Sequence, residues 1–143
     1  MRIQIPVYLF MSKIFTMSEA ASIALHSLSV IAKSKKMISV NYIAGVTGSS
    51  RNHLSKIMQV LSKFGYIKSV RGPKGGFIMG KNAGDITLLE IFEMIEGKLE
   101  VNKCTQENKK CFFKACIFGG LTEKFSEEFR NYLENTSVHD VIQ

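Results

Sequence analysis

The sequence predicts a mainly α-helical chain with a small β-hairpin wing, a winged helix-turn-helix followed by a C-terminal dimerisation helix. Three observations predict it. The stretch Thr47–Gly80 reads in order as a turn, an amphipathic helix, a strand, a glycine-rich tip and a returning strand. Two further helical periods precede it, the second meeting it through a tight glycine turn. Finally, charge is one-signed across this half: from Ala20 to Gly84 there are ten Lys or Arg and no Asp or Glu.

Residues 1–16 fit no helical period and form an N-terminal extension. Their apolar patch is broken by Gln4 and Pro6 and has no small-residue cleavage site, so it does not read as a signal peptide. Met1, Met11 and Met17 all remain candidate natural starts. From Met17 the set Met17, Ala21, Ala24, Leu25, Leu28, Ile31 and Ala32 follows the helical period, with Thr16 or Ser18 as cap and Glu19 in the first turn. Lys33–Lys36 end that helix in a basic loop. A short second helix is expected over Ser39–Val46, turning at Gly45-Val46-Thr47-Gly48.

The third helix starts at Ser49-Ser50 and carries Leu54, Ile57, Met58, Leu61 and Phe64 on one stripe. Its other face holds Arg51, Asn52, His53, Ser55, Lys56, Gln59 and Lys63, without a carboxylate. Gly65 stands where a left-handed cap residue belongs. Tyr66–Val70 and Phe77–Met79 read as strands around the tip Arg71-Gly72-Pro73-Lys74-Gly75-Gly76. A basic helix followed at once by a basic hairpin is the order of a recognition helix and its wing. The DNA-binding unit is accordingly residues 17–84.

Residues 85–118 form a linking helix and a cysteine loop. After a turn at Asn82–Asp85, Thr87 and Glu90 match a capping box, Leu88, Ile91, Phe92 and Ile95 face inward, and Gly97 ends the helix. Residues 98–118 show no sustained period and hold all three cysteines, Cys104, Cys111 and Cys116. Residues 119–143 are the last helix and a tail. Leu121, Phe125, Phe129, Tyr132 and Leu133 lie on one side of that helix, with only the domain edge or a second copy to pack on. Leu121, Phe125, Phe129 and Tyr132 are therefore assigned to a homodimer interface.

The charge asymmetry identifies the partner class. Residues 1–84 hold twelve cations and one acid, a net +11; residues 85–143 hold seven and eleven, a net −4. Solvated surfaces mix signs, whereas a one-signed half is the footprint of a polyanion. Double-stranded DNA, at a palindromic promoter site read by a dimer, is the expected partner. There is no phosphate loop, dinucleotide fingerprint or paired acid–base set, so no enzyme is expected. With no membrane-length apolar run, the expected location is the cytoplasm, where cysteines serve as thiols or metal ligands.

The runs SVRGPKGGFIMGK and ITLLEIFEMIEG, with the basic helix ahead of them, resemble the IscR/NsrR/RirA-type family of bacterial winged-helix regulators. The resemblance covers about residues 17–143. It implies a base-reading face at Ser50, Asn52, His53, Ser55 and Lys56. It also implies a wing contact at Arg71, with Gly72, Pro73, Gly75 and Gly76 shaping the tip beside Lys74. Some members hold an iron–sulfur cluster on three cysteines of this loop and sense nitric oxide, iron or redox status. Others lack the cluster and answer to a protein partner or to thiol oxidation, so here the cofactor is either such a cluster, with two or four irons, or absent.

The cysteines follow C-x6-C-x4-C, close to the family's C-x5-C-x5-C, and Lys103, Lys109, Lys110 and Lys114 around them favour thiolates. Where relatives place a fourth ligand this chain has Gly119 or Ser22. Glu19 is the nearest carboxylate, leaving Glu19, water, a small thiol or nothing at that position.

Overall fold

The computed structural model describes residues 17–101 and 113–143. Helix α1 spans Glu19–Ser34, and of the two expected caps it uses Ser18, whose Oγ accepts the Ala21 N–H at 3.1 Å. Its inward face holds Ala21, Ile23, Ala24, Ser27, Leu28 and Ile31, all buried. The loop after α1 brings Ile38 beside the wing.

Helix α2 spans Val40–Thr47 and is capped by Ser39, whose hydroxyl accepts the Tyr42 N–H. It runs further than the sequence suggested. Thr47 extends it by one residue past the expected end at Val46, so most of the expected Gly45–Gly48 turn is helical, and Gly48 alone of the four is left-handed, at φ +67°. Thr47 takes part because its hydroxyl donates back to Ile43 O at 2.9 Å, which satisfies a carbonyl of the closing turn. Helix α3, Arg51–Lys63, follows after three residues, with Leu54, Ile57, Met58 and Leu61 buried as their spacing predicts. Gly65 then reverses the chain at φ +77°.

Strands β1 (Ile67–Val70) and β2 (Gly76–Met79) pair antiparallel, with Ile67 opposite Met79 and Val70 opposite Gly76. The extended segment at Ile38 that joins them was not legible in the sequence. Ile38 N–H donates to Phe77 O at 3.0 Å and Phe77 N–H donates to Ile38 O at 2.8 Å, so a single residue stitches the α1–α2 loop onto β2. Gly76 permits that approach: a Cβ there would lie 2.3 Å from Ile38 O.

A 3-10 turn at Ala83–Asp85, capped by Asn82, leads to α4 at Leu88–Glu96. Thr87 Oγ1 accepts the Glu90 N–H at 3.2 Å, but the reciprocal half of the expected capping box is not made. The Glu90 carboxylate instead accepts the Tyr66 hydroxyl at 2.5 Å. α4 packs chiefly on α1 and α5. α5 spans Leu121–Asn135, entered through Gly120 in the left-handed region.

Along α5, Phe129 meets Phe92 of α4 edge-on, with ring centroids 5.5 Å apart at 85°, and Leu133 is buried. After α5 the tail folds back. Leu88 N–H donates to Thr136 O and Val138 N–H donates to Ile86 O, each at 2.9 Å, which seals Val138 into the core. One apolar cluster thus runs from Ala21 through α3, β1 and α4 to Val138. No helix among the described residues is long and apolar enough to cross a membrane.

Candidate nucleic-acid interface

α3 turns its polar face outward because four buried side chains on the opposite face fix its rotation. Arg51, Asn52, Ser55, Lys56, Gln59 and Lys63 are exposed, and His53 is half-buried. The helix starts with Ser50, whose Oγ accepts the His53 N–H at 3.3 Å. That leaves the Ser50 hydroxyl proton available to a phosphate oxygen. No acid sits in the first turn, so the positive end of the helix dipole and Arg51 act together on an approaching polyanion.

The carboxylate nearest this face is Glu19. Its Oε2 lies 3.7 Å from His53 Nδ1 and its side chain is 75% exposed. The residue that the sequence offered as a fourth cluster ligand therefore stands against the first turn of α3.

The wing tip presents Arg71, Gly72, Pro73 and Lys74 to solvent. Gly75 N–H donates to Gly72 O at 2.8 Å, closing the turn, and a Cβ on Gly75 would sit 2.3 Å from Val70 O. Gly75 and Gly76 are thus held by backbone packing, while Arg71 and Lys74 remain exposed. At the base of the wing, Lys81 Nζ sits 4.1 Å from the Tyr66 ring centroid and 4.0 Å from Glu90 Oε1. Burial, followed by the hydrogen bond and charge of Glu90, pushes the Tyr66 hydroxyl far above its ordinary pKa. This Tyr66–Glu90–Lys81 group was not found from sequence. Its members are far apart in the chain, and none carries a motif.

Cys104 and Cys111 lie outside the described residues. Cys116 is an exposed free thiol just ahead of α5. The backbone N–H of Gly120, then those of Phe118 and Gly119, pull its pKa below the ordinary thiol value. A thiol so placed suits thiolate chemistry, and in that respect the one described cysteine fits a soft-metal ligand or a redox-reactive group. Of the four side chains assigned to a dimer interface, Leu121, Phe125 and Tyr132 are 50%, 53% and 58% exposed within one chain. Phe129 is half-buried against Phe92.

Comparison with known proteins gives a consistent result. A protein of Aquifex aeolicus named as an HTH-type transcriptional regulator is 30% identical over 129 residues, covering 87% of this chain and 90% of that protein. Among solved structures, CymR, the global cysteine regulator of B. subtilis, superposes with a TM-score of 0.72 at 21% identity, covering 90% of this chain and 97% of that one. IscR of T. potens gives 0.67 at 24% identity, covering 90% and 86%. The oxidized form of Staphylococcus aureus CymR gives 0.71 at 23%, covering 90% and 97%. These structures share the fold of five helices and a two-stranded wing. The family profile for Rrf2, described as an iron-dependent transcriptional regulator, matches residues 17–143, and the chain belongs to that family of transcriptional regulators.

Proposed function

We propose that this regulator is a repressor that binds a palindromic promoter site as a homodimer, reading bases with α3 and gripping the backbone with the wing. The single observation that carries the reading is the set of exposed cations along α3 and the wing tip. Arg51, Lys56, Lys63, Arg71 and Lys74 are all exposed, and among the described residues the acid beside α3 is Glu19. Base contacts would come from Asn52, His53, Ser55 and Lys56, and phosphate contacts from Ser50, Arg51, Arg71 and Lys74. Leu121, Phe125 and Tyr132 would meet a second copy, since three half-exposed large apolar residues on one helix favour burial.

The affinity would be set through Cys104, Cys111 and Cys116, holding an iron–sulfur cluster. Such a cluster supplies an iron open to nitric oxide or oxygen. What the chain itself supplies at Cys116 is a thiol kept toward thiolate by the backbone N–H groups of residues 118–120. The same thiolate character supports a second reading, direct thiol oxidation without a metal, and the fold likeness to an oxidized CymR keeps that reading in view.

The test of the interface is fluorescence anisotropy on a duplex selected from a random pool. Arg71→Ala should weaken binding across sequences and lower the salt slope by about one phosphate. Asn52→Ala should relax base preference. Unchanged affinity and salt slope in both variants contradicts the assignment.

A further inference from the structure

α4 carries three carboxylates one turn apart, and each is occupied by a different part of the molecule. Glu90 Oε1 accepts the Tyr66 hydroxyl at 2.5 Å, at the joint between α3 and β1. Glu93 Oε1 accepts Arg130 Nη1 of α5 at 3.1 Å and the Leu99 N–H at 3.0 Å. Arg130 Nη1 also donates to Leu99 O at 2.8 Å, so both main-chain groups of Leu99 are held by one ion pair. Glu96 accepts the hydroxyl of Ser18, the cap of α1. Acids on the outer face of an amphipathic helix normally point at water.

Position gives the arrangement its meaning. Leu99 is where the chain leaves α4 toward the cysteine-bearing residues, and Arg130 belongs to the helix with the apolar face offered to a second copy. Glu93 and Arg130 are each only 29% exposed, so their pairing is less screened than a surface ion pair. At the other end, Tyr66 is buried directly behind the recognition helix, and Lys81 covers its ring. α4 itself is a continuous helix anchored in the core by buried Leu88, Leu89, Ile91 and Phe92.

We infer that α4 is a positioning element for DNA binding: the Arg130–Glu93 clamp on Leu99 and the Glu90–Tyr66 bond are two ends of one rigid rod. It ties the start of the cysteine segment and α5 to the recognition helix and wing. This deepens the proposed control of affinity by the cysteines and rests on that reading for its biological use. Arg130, Glu93, Glu90 and Tyr66 touch no DNA in this account; they set where α3 and the wing stand.

A double-mutant cycle tests it, run on reduced, metal-free protein with the selected duplex, so the result does not depend on whether the cysteines take up a cluster. Tyr66→Phe and Arg130→Gln are measured singly and together by anisotropy, with thermal melts to confirm folding. Separated, independent residues combine to within about twofold in a binding constant. The rod predicts that each single change lowers affinity and that the double variant departs from the product of the two by about threefold or more. Arg130→Lys, which keeps the charge but not the fork, should restore affinity only in part. If Tyr66→Phe proves unfolded, Glu90→Met, which keeps the side-chain length but has no oxygen to accept the Tyr66 hydroxyl, removes the same bond from the other side and takes its place in the cycle. Independent effects, or single variants with wild-type affinity, overturn the inference. Failure of cluster uptake in a separate reconstitution overturns only the cluster reading.

Discussion

Replacing Gly76 with alanine tests whether the bridge from Ile38 holds the wing. A Cβ at Gly76 would meet Ile38 O at 2.3 Å and Ile38 C at 2.7 Å, both backbone atoms that cannot rotate away. The loop must withdraw, and the two hydrogen bonds between Ile38 and Phe77 are lost. At about 1 kcal/mol net for each bond, the expected destabilisation is about 2 kcal/mol. For a chain of this size that lowers the melting midpoint by roughly 5–10 °C. Urea unfolding should show a lower midpoint with an unchanged slope, because the surface exposed on unfolding hardly changes. Gly84→Ala is the control: its Cβ would meet nothing nearer than the Asn82 side chain at 3.8 Å, so its stability should stay within about 0.5 kcal/mol of wild type. A Gly76→Ala variant as stable as Gly84→Ala would refute the pairing of Ile38 with the wing.

Other outcomes follow from the same geometry. Phe125→Asp should convert a dimer to a monomer in sedimentation velocity at micromolar concentration, because an unpaired carboxylate would be buried at the interface; a stable dimer in that variant would move the interface elsewhere. Tyr66 has a folded-state pKa raised above its unfolded value, so its contribution is complete below about pH 10 and is lost as pH rises beyond that. The stability advantage of wild type over Tyr66→Phe in urea melts should therefore be present at neutral pH and shrink above about pH 10. An advantage constant with pH would show that the bond to Glu90 is not made. In a Cys104→Ser, Cys111→Ser background, Cys116 should react with iodoacetamide at neutral pH faster than it does after unfolding in urea, since folding lowers its pKa. Equal rates would remove the backbone N–H groups as a cause.

What was legible in the sequence was whatever depends on local periodicity. In the stripe Leu54, Ile57, Met58, Leu61 and Phe64 the first four fixed the rotation of α3, and the polar face they predicted is the exposed one, while Phe64, at the helix cap, is exposed and not inward. Gly65 at a left-handed cap and Thr87 at a helix start were readable because one residue's backbone preference decides each. What escaped depends on long-range partners. Ile38 joins the wing only because Phe77 is brought to it from far along the chain. Glu90 leaves its capping role because the buried hydroxyl of Tyr66 needs an acceptor more than an exposed helix end does. Ser27, buried with its hydroxyl unpartnered, broke the apolar pattern of α1. α5 was only half readable. Its apolar side divides between Phe129 and Leu133, which pack within the chain, and Leu121, Phe125 and Tyr132, which stay half-exposed among the described residues. A helical period shows that a face is apolar without showing which residues along it a neighbour covers. Val138 was missed for a related reason, since eight residues after α5 carry no period while their backbone is pinned to residues 83–88.

Control of DNA affinity through the cysteines is the central claim, and one measurement addresses it most directly. Protein reconstituted anaerobically with iron and sulfide, and the same protein reduced and metal-free, are titrated against the selected duplex at fixed salt, alongside Cys116→Ser treated identically. The account predicts iron uptake by wild type and an affinity difference between its two forms of more than about tenfold, or about 1.4 kcal/mol, with both effects lost in Cys116→Ser. Iron uptake with equal affinities in the two forms, or an undiminished difference in Cys116→Ser, would contradict it.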